Sequence, residues 1–343
     1  LTLLWCSKRP PSTLDPTNPK SFELVKQMYE EMIPFTKSKY FNMNFDEPYE
    51  LGHGKSKQEC LKTYTEDVYI EYLEKLANVV RKYNKTPMIW GDVLVKHPDK
   101  ISKLSKDIVF IDWGYNKAYD FVNHAKMLEE LKVKYLLAPG TSTWSSITGR
   151  FIDMKETIEN STYASKKYHG LGILLTDWGD MGHLQYLPSS YLGFIYGAML
   201  SWSSGTIEDA EKYLAIILND EILAKVIVEL SRYHELEGEY RDYGTRLFAS
   251  IMWAEHGKRQ DDKVNFFLNR MKSNIISYEA VQNLHKLFTQ EKNKLQNAKE
   301  CLEKDEIENV FTDKEIKLVE SKPKYEPRFK VIEIYEQLKE TIS

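Results

Sequence analysis

The chain has 343 residues, 42% of them hydrophobic, with 47 Lys and Arg against 51 Asp and Glu and a formal net charge of -4. That length supports one large domain plus a smaller one, and the near-balanced charge excludes a dedicated binder of nucleic acid or of an anionic membrane. No run of about 18 apolar residues exists, so no transmembrane helix is expected, and an aromatic content of 13% excludes a disordered chain.

The chain opens Leu1-Thr2-Leu3-Leu4-Trp5, with neither Met nor a signal peptide, and is expected to be the interior of a longer protein. Residues 24, 25, 28, 29 and 32 form one helical face. Tyr40-Phe41-Asn42-Met43-Asn44-Phe45 then alternates with period two, as a strand does. Val68, Tyr69, Tyr72, Leu73, Leu76, Val79 and Val80 predict a strongly amphipathic helix. Short apolar strands follow at Pro87–Trp90, Ile108–Trp113, Tyr135–Ala138 and Ile173–Thr176, with helices at about 119–131 and 154–168. This β-α-β-α order points to a parallel sheet, either a barrel or a doubly wound sheet.

Composition changes near Ser203-Ser204-Gly205-Thr206. Thirteen of the 16 Gly, ten of the 12 Pro and six of the seven Trp lie before residue 206. Charged segments with helical periodicity follow, at Ile222–Leu236, Val264–Ile276 and Ile332–Leu338. The expected division is a (β/α) barrel portion over residues 1–205 and an all-α domain over 206–343. The three cysteines, Cys6, Cys60 and Cys301, are odd in number and far apart, which excludes a disulfide framework and a CxxC zinc site. A reducing compartment is the simpler reading, and a cytoplasmic location is the expectation.

A quasi-repeat favours the barrel. Three strands end in Trp-Gly, in Trp90-Gly91-Asp92, Trp113-Gly114-Tyr115 and Trp178-Gly179-Asp180, and a fourth ends Pro139-Gly140-Thr141-Ser142-Thr143-Trp144. In a (β/α)8 barrel the C-terminal strand ends converge on the face that carries the active site. Core packing alone would account for any single one of these tryptophans, but less readily for four at matching positions. Tryptophan walls with carboxylates suit a carbohydrate, whose C–H faces pack on aromatic rings while its hydroxyls donate to Asp and Glu. The carboxylates available at strand ends are Asp46, Glu47, Asp92, Asp112, Asp177 and Asp180. With Phe41, Met43 and Phe45 turned to the helices, Asn42, Asn44 and Asp46 point inward, and Glu47 turns over the mouth.

Two other motifs are rejected. Gly54-Lys55-Ser56 lacks the glycine five residues earlier that a phosphate loop requires, since position 49 is Tyr. His53, His97 and His183 show no HxH or HExxH spacing, so no metal site is expected, and His183 is read as structural or hydroxyl-contacting.

Asn42-Met43-Asn44-Phe45-Asp46-Glu47, followed by Tyr49-Glu50-Leu51-Gly52-His53-Gly54-Lys55-Ser56, resembles the catalytic segment of glycoside hydrolase family 20, the β-N-acetylhexosaminidases, in a bacterial subgroup. The similarity continues through the Trp-Gly motifs and Asp180-Met181-Gly182-His183, over roughly residues 12–202. It implies a TIM-type barrel of which this chain holds the C-terminal strands, and an exo-acting, substrate-assisted, retaining hydrolase without cofactor. Adjacent Asp and Glu cannot flank a sugar as acid and nucleophile, and this family stands outside that two-carboxylate scheme. By resemblance Glu47 is the general acid/base and Asp46 holds the acetamido N–H and stabilises the developing positive charge. Trp90, Trp113 and Trp178 enclose the acetamido methyl and Asp180 binds sugar hydroxyls. Trp144 also lines the site, and Tyr115 is the candidate for the acetamido oxygen. The partner implied is a terminal N-acetylhexosamine of a glycan or glycoconjugate, with neither nucleic acid nor membrane, and with homodimerisation left open.

The chain departs from the family in three ways. Three strands that precede the catalytic strand find no room in residues 1–39. An arginine near the first strand has no counterpart, and Asn44 stands where the family often has Gly. At least about 100 further residues are therefore expected upstream, and residues 1–343 alone are expected to be poorly soluble or inactive, because open sheet edges are costly. Two other readings stay open: a non-catalytic glycan-binding relative, and a barrel glycosidase pairing Glu47 with Asp177 or Asp180.

Overall fold

The computed structural model describes residues 13–182, 185–238, 240–253 and 278–302. Four strands, β1 (Tyr40–Asn42), β2 (Thr86–Trp90), β3 (Val109–Trp113) and β4 (Lys134–Ala138), form one sheet in the order β1-β2-β3-β4. All three pairings are parallel. Strand order follows chain order without reversal, as in a (β/α) barrel segment, whereas a doubly wound sheet reverses at a switch point. The stretch expected as a fifth strand runs parallel beside β4, with a bridge from Leu137 to Ile173 and main-chain hydrogen bonds from Leu171 N–H to Tyr135 O, Leu137 N–H to Gly172 O, Leu174 N–H to Leu137 O and Thr176 N–H to Pro139 O. Gly172, at φ +144°, interrupts the extended backbone just before Ile173.

Helices fill the connections: α1 (Pro19–Met32), α2 (Lys57–Lys62), α3 (Thr65–Lys82), α4 (Pro98–Ile101), α5 (Phe121–Glu130) and α6 (Phe151–Lys167). The α1 start follows from Asn18, whose side chain accepts the Lys20 N–H, and from Pro19 at the first helical position. The buried face of α1 runs through Phe22, Val25, Tyr29 and Ile33. The face expected through Met28 and Met32 is corrected: both are exposed, at 50% and 55%. On α3 the expected stripe holds, with Val68, Tyr69, Leu73, Leu76, Val79 and Val80 all buried.

The sheet is covered on both faces, which is why its strands read as nearly continuous apolar runs. Ile89, Phe110, Tyr135 and Leu137 pack with the helices. Met88, Trp90, Val109, Ile111 and Ala138 make a second cluster, joined by Trp113 and Leu136. Full burial of one such aliphatic or aromatic side chain contributes about 1.5–3 kcal/mol.

The chain folds as two compact units. Among the described residues the first comprises those up to Gly114, Ala118–Pro139 and Thr157–Thr176, and the second Tyr115–Lys117, Gly140–Glu156 and those from Asp177 onward. The second unit holds α7 (Pro188–Trp202), α8 (Ile207–Leu218), α9 (Glu221–Ser231), α10 (Arg246–Trp253) and α11 (Tyr278–Leu302). A reciprocal capping box of Thr206 and Asp209 starts α8, and Asn219 in the left-handed conformation ends it. The helix expected over Ile222–Leu236 is α9 followed by a short 3-10 turn at Tyr233–Leu236. The segments Val264–Ile276 and Ile332–Leu338 lie outside the described residues. Among the described residues no helix is long and apolar enough to cross a membrane.

Candidate active site

In the first unit the site is built where β1 ends. The expected strand at 40–45 is regular only to Asn42, because Asn44, Phe45 and Glu47 take positive φ values of 66°, 75° and 48°. Pairing with β2 nevertheless continues: Met43 N–H donates to Met88 O, and Trp90 N–H to Asn44 O, both at 2.9 Å. Left-handed backbone is tolerable for Asn but is an outlier for a bulky residue such as Phe, and each such residue costs about 1–3 kcal/mol. Two tyrosines offset that cost. Tyr29 on α1 donates its hydroxyl to Met43 O at 2.9 Å, and Tyr69 on α3 donates to Phe45 O at 2.8 Å. The Phe45 ring stands edge-on to Tyr69, with centroids 5.6 Å apart, and lies 6.0 Å from Tyr72. Phe41, Met43 and Phe45 thus face the helices as expected, and the chain is turned so that Asp46 and Glu47 are open to solvent.

Asp92 joins this pair. Glu47 N–H donates to Asp92 Oδ2 at 3.1 Å, and the Trp113 side chain hydrogen-bonds the same carboxylate. Loss of hydrating water raises the Asp46 pKa, and the Glu47 charge adds to the rise. Burial raises Asp92 as well, with the Asp46 charge acting in the same direction against the two hydrogen bonds. Tyr69 is held well above the usual phenol range, first by burial and then by the charges of Asp92 and Asp46. Trp90 is buried and Trp113 half-buried in the apolar cluster on this face of the sheet.

The glycine of the Trp-Gly motif has a packing reason. A Cβ on Gly91 would come within 2.0 Å of the Phe110 ring, and one on Gly114 within 2.1 Å of the Tyr119 ring. Asp112, one residue before Trp113 and therefore on the opposite face of β3, is not a site carboxylate. It is fully buried, accepts the Tyr119 hydroxyl at 2.6 Å and pairs with His124 Nδ1 at 3.1 Å.

In the second unit, Tyr115, Trp144 and Trp178 come together. The Trp178 indole N–H donates to the Tyr115 hydroxyl at 2.8 Å, and Tyr115 meets Trp144 edge-on with centroids 4.9 Å apart. Gly140 lets these rings approach: a Cβ there would lie 2.4 Å from Trp144. Trp178 is 38% exposed, whereas Trp144 is 2% exposed and supports Tyr115 from within. Arg150 lies over the Trp144 ring at 5.4 Å, donates from Nε to Ser142 O and pairs with Asp153 at 3.1 Å, both ionic side chains being buried. Asp177 is held by Thr141, Thr143 and Ser190, all donating to its Oδ1, which leaves it a structural hub. Asp180 is exposed on a 3-10 turn at Asp180–Gly182. His183 lies outside the described residues. No cluster of three or more His, Cys, Asp or Glu able to hold a metal ion occurs among the described residues.

Residues 2–154 match the family model for glycosyl hydrolase family 20, catalytic domain. Catalytic domains of family 20 are TIM-type barrels, and the parallel α/β sheet described above is consistent with that class. The matched segment includes Asp46, Glu47, Trp90, Asp92, Trp113, Tyr115 and Trp144, while Trp178 and Asp180 lie beyond it.

The chain is also similar to three solved structures. They are a chitobiase from Flavobacterium johnsoniae (18% identity, TM-score 0.47, 76% of this chain and 38% of that one), a β-N-acetylhexosaminidase from Bacteroides fragilis (13%, 0.48, 65% and 49%) and an exo β-N-acetylglucosaminidase from Vibrio harveyi with N-acetylglucosamine (16%, 0.44, 62% and 37%). The chain spans less than half the length of each. No curated protein matches it.

Asp92 is the site residue that sequence reasoning under-weighted. The sequence carries a signal for it, since Trp90-Gly91-Asp92 and Trp178-Gly179-Asp180 are the same triplet.

Proposed function

We propose that the protein is an exo-acting retaining glycoside hydrolase that releases terminal β-linked N-acetylhexosamine. The observation that carries this reading is the Asp46-Glu47 pair itself. It is turned to solvent at a strand end by left-handed backbone and tied to Asp92, with Trp90 and Trp113 at the ends of the next two strands, within a segment that matches the family 20 model. Two adjacent carboxylates suit substrate assistance. Glu47 protonates the leaving oxygen while the substrate's acetamido oxygen attacks the anomeric carbon. The C–O bond to the aglycone breaks, and an oxazolinium forms. Asp46 accepts the acetamido N–H and offsets the positive charge of that ring. Glu47, now ionised, takes a proton from water as the water opens the ring with net retention. Trp90 and Trp113 contribute apolar walls. Tyr115, Trp144, Trp178 and Asp180 are assigned substrate contacts on the sequence resemblance.

The test is turnover of 4-nitrophenyl N-acetyl-β-glucosaminide and its galacto epimer. Release of nitrophenol with a retained anomer is expected. Sugar binding without turnover would make the protein a glycan-binding relative. Equal turnover of a glucoside lacking the acetamido group would favour a conventional carboxylate pair.

A further inference from the structure

Asp92 makes contacts that a simple strand-end residue does not need. It lies two positions past the end of β2. Its Oδ2 accepts the amide of Glu47, 45 residues away, at 3.1 Å. The Trp113 side chain, from the end of the next strand, bonds the same carboxylate. Its Oδ1 is buried and has no hydrogen-bond partner among the described residues. A buried carboxylate oxygen left unpaired is a standing cost, so the residue is held there by what the other contacts achieve. Glu47 sits at φ +48°, a strained conformation for a non-glycine residue. A charge-assisted bond to its amide is the kind of contact that can hold such a backbone in place.

We propose that Asp92 is a positioning residue for the hydrolysis: it fixes the Glu47 backbone and the Trp113 side chain in one relation and sets a negative charge beside Asp46. This rests on the reading of Asp46 and Glu47 as the catalytic pair. The titratable side chains coupled to Asp92 are Asp46 just past β1 and Tyr69 on α3, and Glu47 meets it through its backbone amide. The Asp46 charge raises the affinity of Asp92 for a proton, and because such coupling is reciprocal, an ionised Asp92 disfavours ionisation of Asp46.

The test compares Asp92→Asn, which keeps the size and an acceptor oxygen but removes the charge, with Asp92→Ala and with Glu47→Gln on the chromogenic N-acetylglucosaminide. Asp92→Asn is expected to lower kcat about 10–100-fold, the scale of one hydrogen bond to a charged group, with little change in KM. The acid limb of its kcat/KM profile is expected to move to lower pH, because Asp46 ionises more readily without a negative neighbour. A merely structural residue would not move that limb. An Asp92→Asn protein with wild-type kcat and an unshifted acid limb overturns the proposal while Glu47→Gln remains inactive. A fully active Glu47→Gln protein, or a wild type without turnover, overturns the underlying catalytic reading and the proposal with it. If Asp92→Ala does not fold, the Asp92→Asn profile alone decides.

Discussion

The hydroxyl of Tyr69 donates to the carbonyl of Phe45 at 2.8 Å, so a side chain of α3 fixes the backbone one residue before the acid pair. Tyr69→Phe keeps the ring contact with Phe45 and removes only this bond. A part-buried carbonyl left without its donor costs about 1–3 kcal/mol. We expect a lower Tm with a disproportionate fall in kcat and an unchanged KM. Thermal unfolding with steady-state kinetics checks it, and a variant that loses stability alone would show that the tyrosine does not govern the acid pair.

Glu47→Gln should leave sugar binding nearly intact and reduce turnover by about 10²–10⁴-fold. Substrates whose leaving groups need no protonation should suffer least. Equal losses on activated and unactivated aglycones would argue against general acid catalysis by Glu47.

Asp46→Asn keeps the shape but removes the charge proposed to face the oxazolinium. Both formation and opening of that intermediate should slow, and added azide should not restore the rate. Pre-steady-state measurement of the two steps is the check, and full activity would exclude substrate assistance.

Gly91→Ala should destabilise the first unit, because the new methyl meets the Phe110 ring at 2.0 Å. Overpacking of this kind costs about 1–3 kcal/mol. Adding Phe110→Leu should recover part of the loss in urea unfolding, since the clash is with that ring.

The second unit carries two opposed proton linkages. Burial pushes Glu237 up from 4.5 to about 7 and His234 down from 6.5 to about 4. The folded state holds the Glu237 proton more tightly, so that group's contribution falls as pH rises from 4.5 to 7. The unfolded state takes up the His234 proton first, so that group's contribution is lost as pH falls from 6.5 to 4. Between pH 4.5 and 6.5 the two slopes oppose each other. Glu237→Gln removes one of them. Urea unfolding of the variant should therefore rise with pH across this window more steeply than wild type, by up to about 1.4 kcal/mol per pH unit. Parallel profiles would place the compensation elsewhere.

Much of this architecture was legible because apolar periodicity reports burial. The α3 stripe and strands β2 to β4 stand where the pattern puts them, within a residue or two at the ends. On α1 the pattern places Val25 and Tyr29 on the core as found, but Met28 and Met32 are apolar without being needed, and Phe22 completes the buried face instead. Alternation also over-extended β1, since a period-two pattern cannot register that Asn44 and Phe45 leave extended backbone. The same alternation would have removed Asp112 from the site carboxylates, because it and Trp113 necessarily point to opposite faces. The hydrogen bonds that converge on Asp92 depend on loop conformation, which no local pattern encodes.

The ties that shape the acid segment join residues progressively farther apart in the chain: Tyr29 to Met43, Tyr69 to Phe45, and Asp92 to Glu47, at separations of 14, 24 and 45 residues. Helices form from local contacts long before ties of that span can close. During refolding the helical signal should therefore return first, the aromatic environment next, and enzymatic activity last. A chain arrested between those stages would carry its tryptophans and both acids, yet still lack the backbone geometry that the proposed role of Glu47 requires.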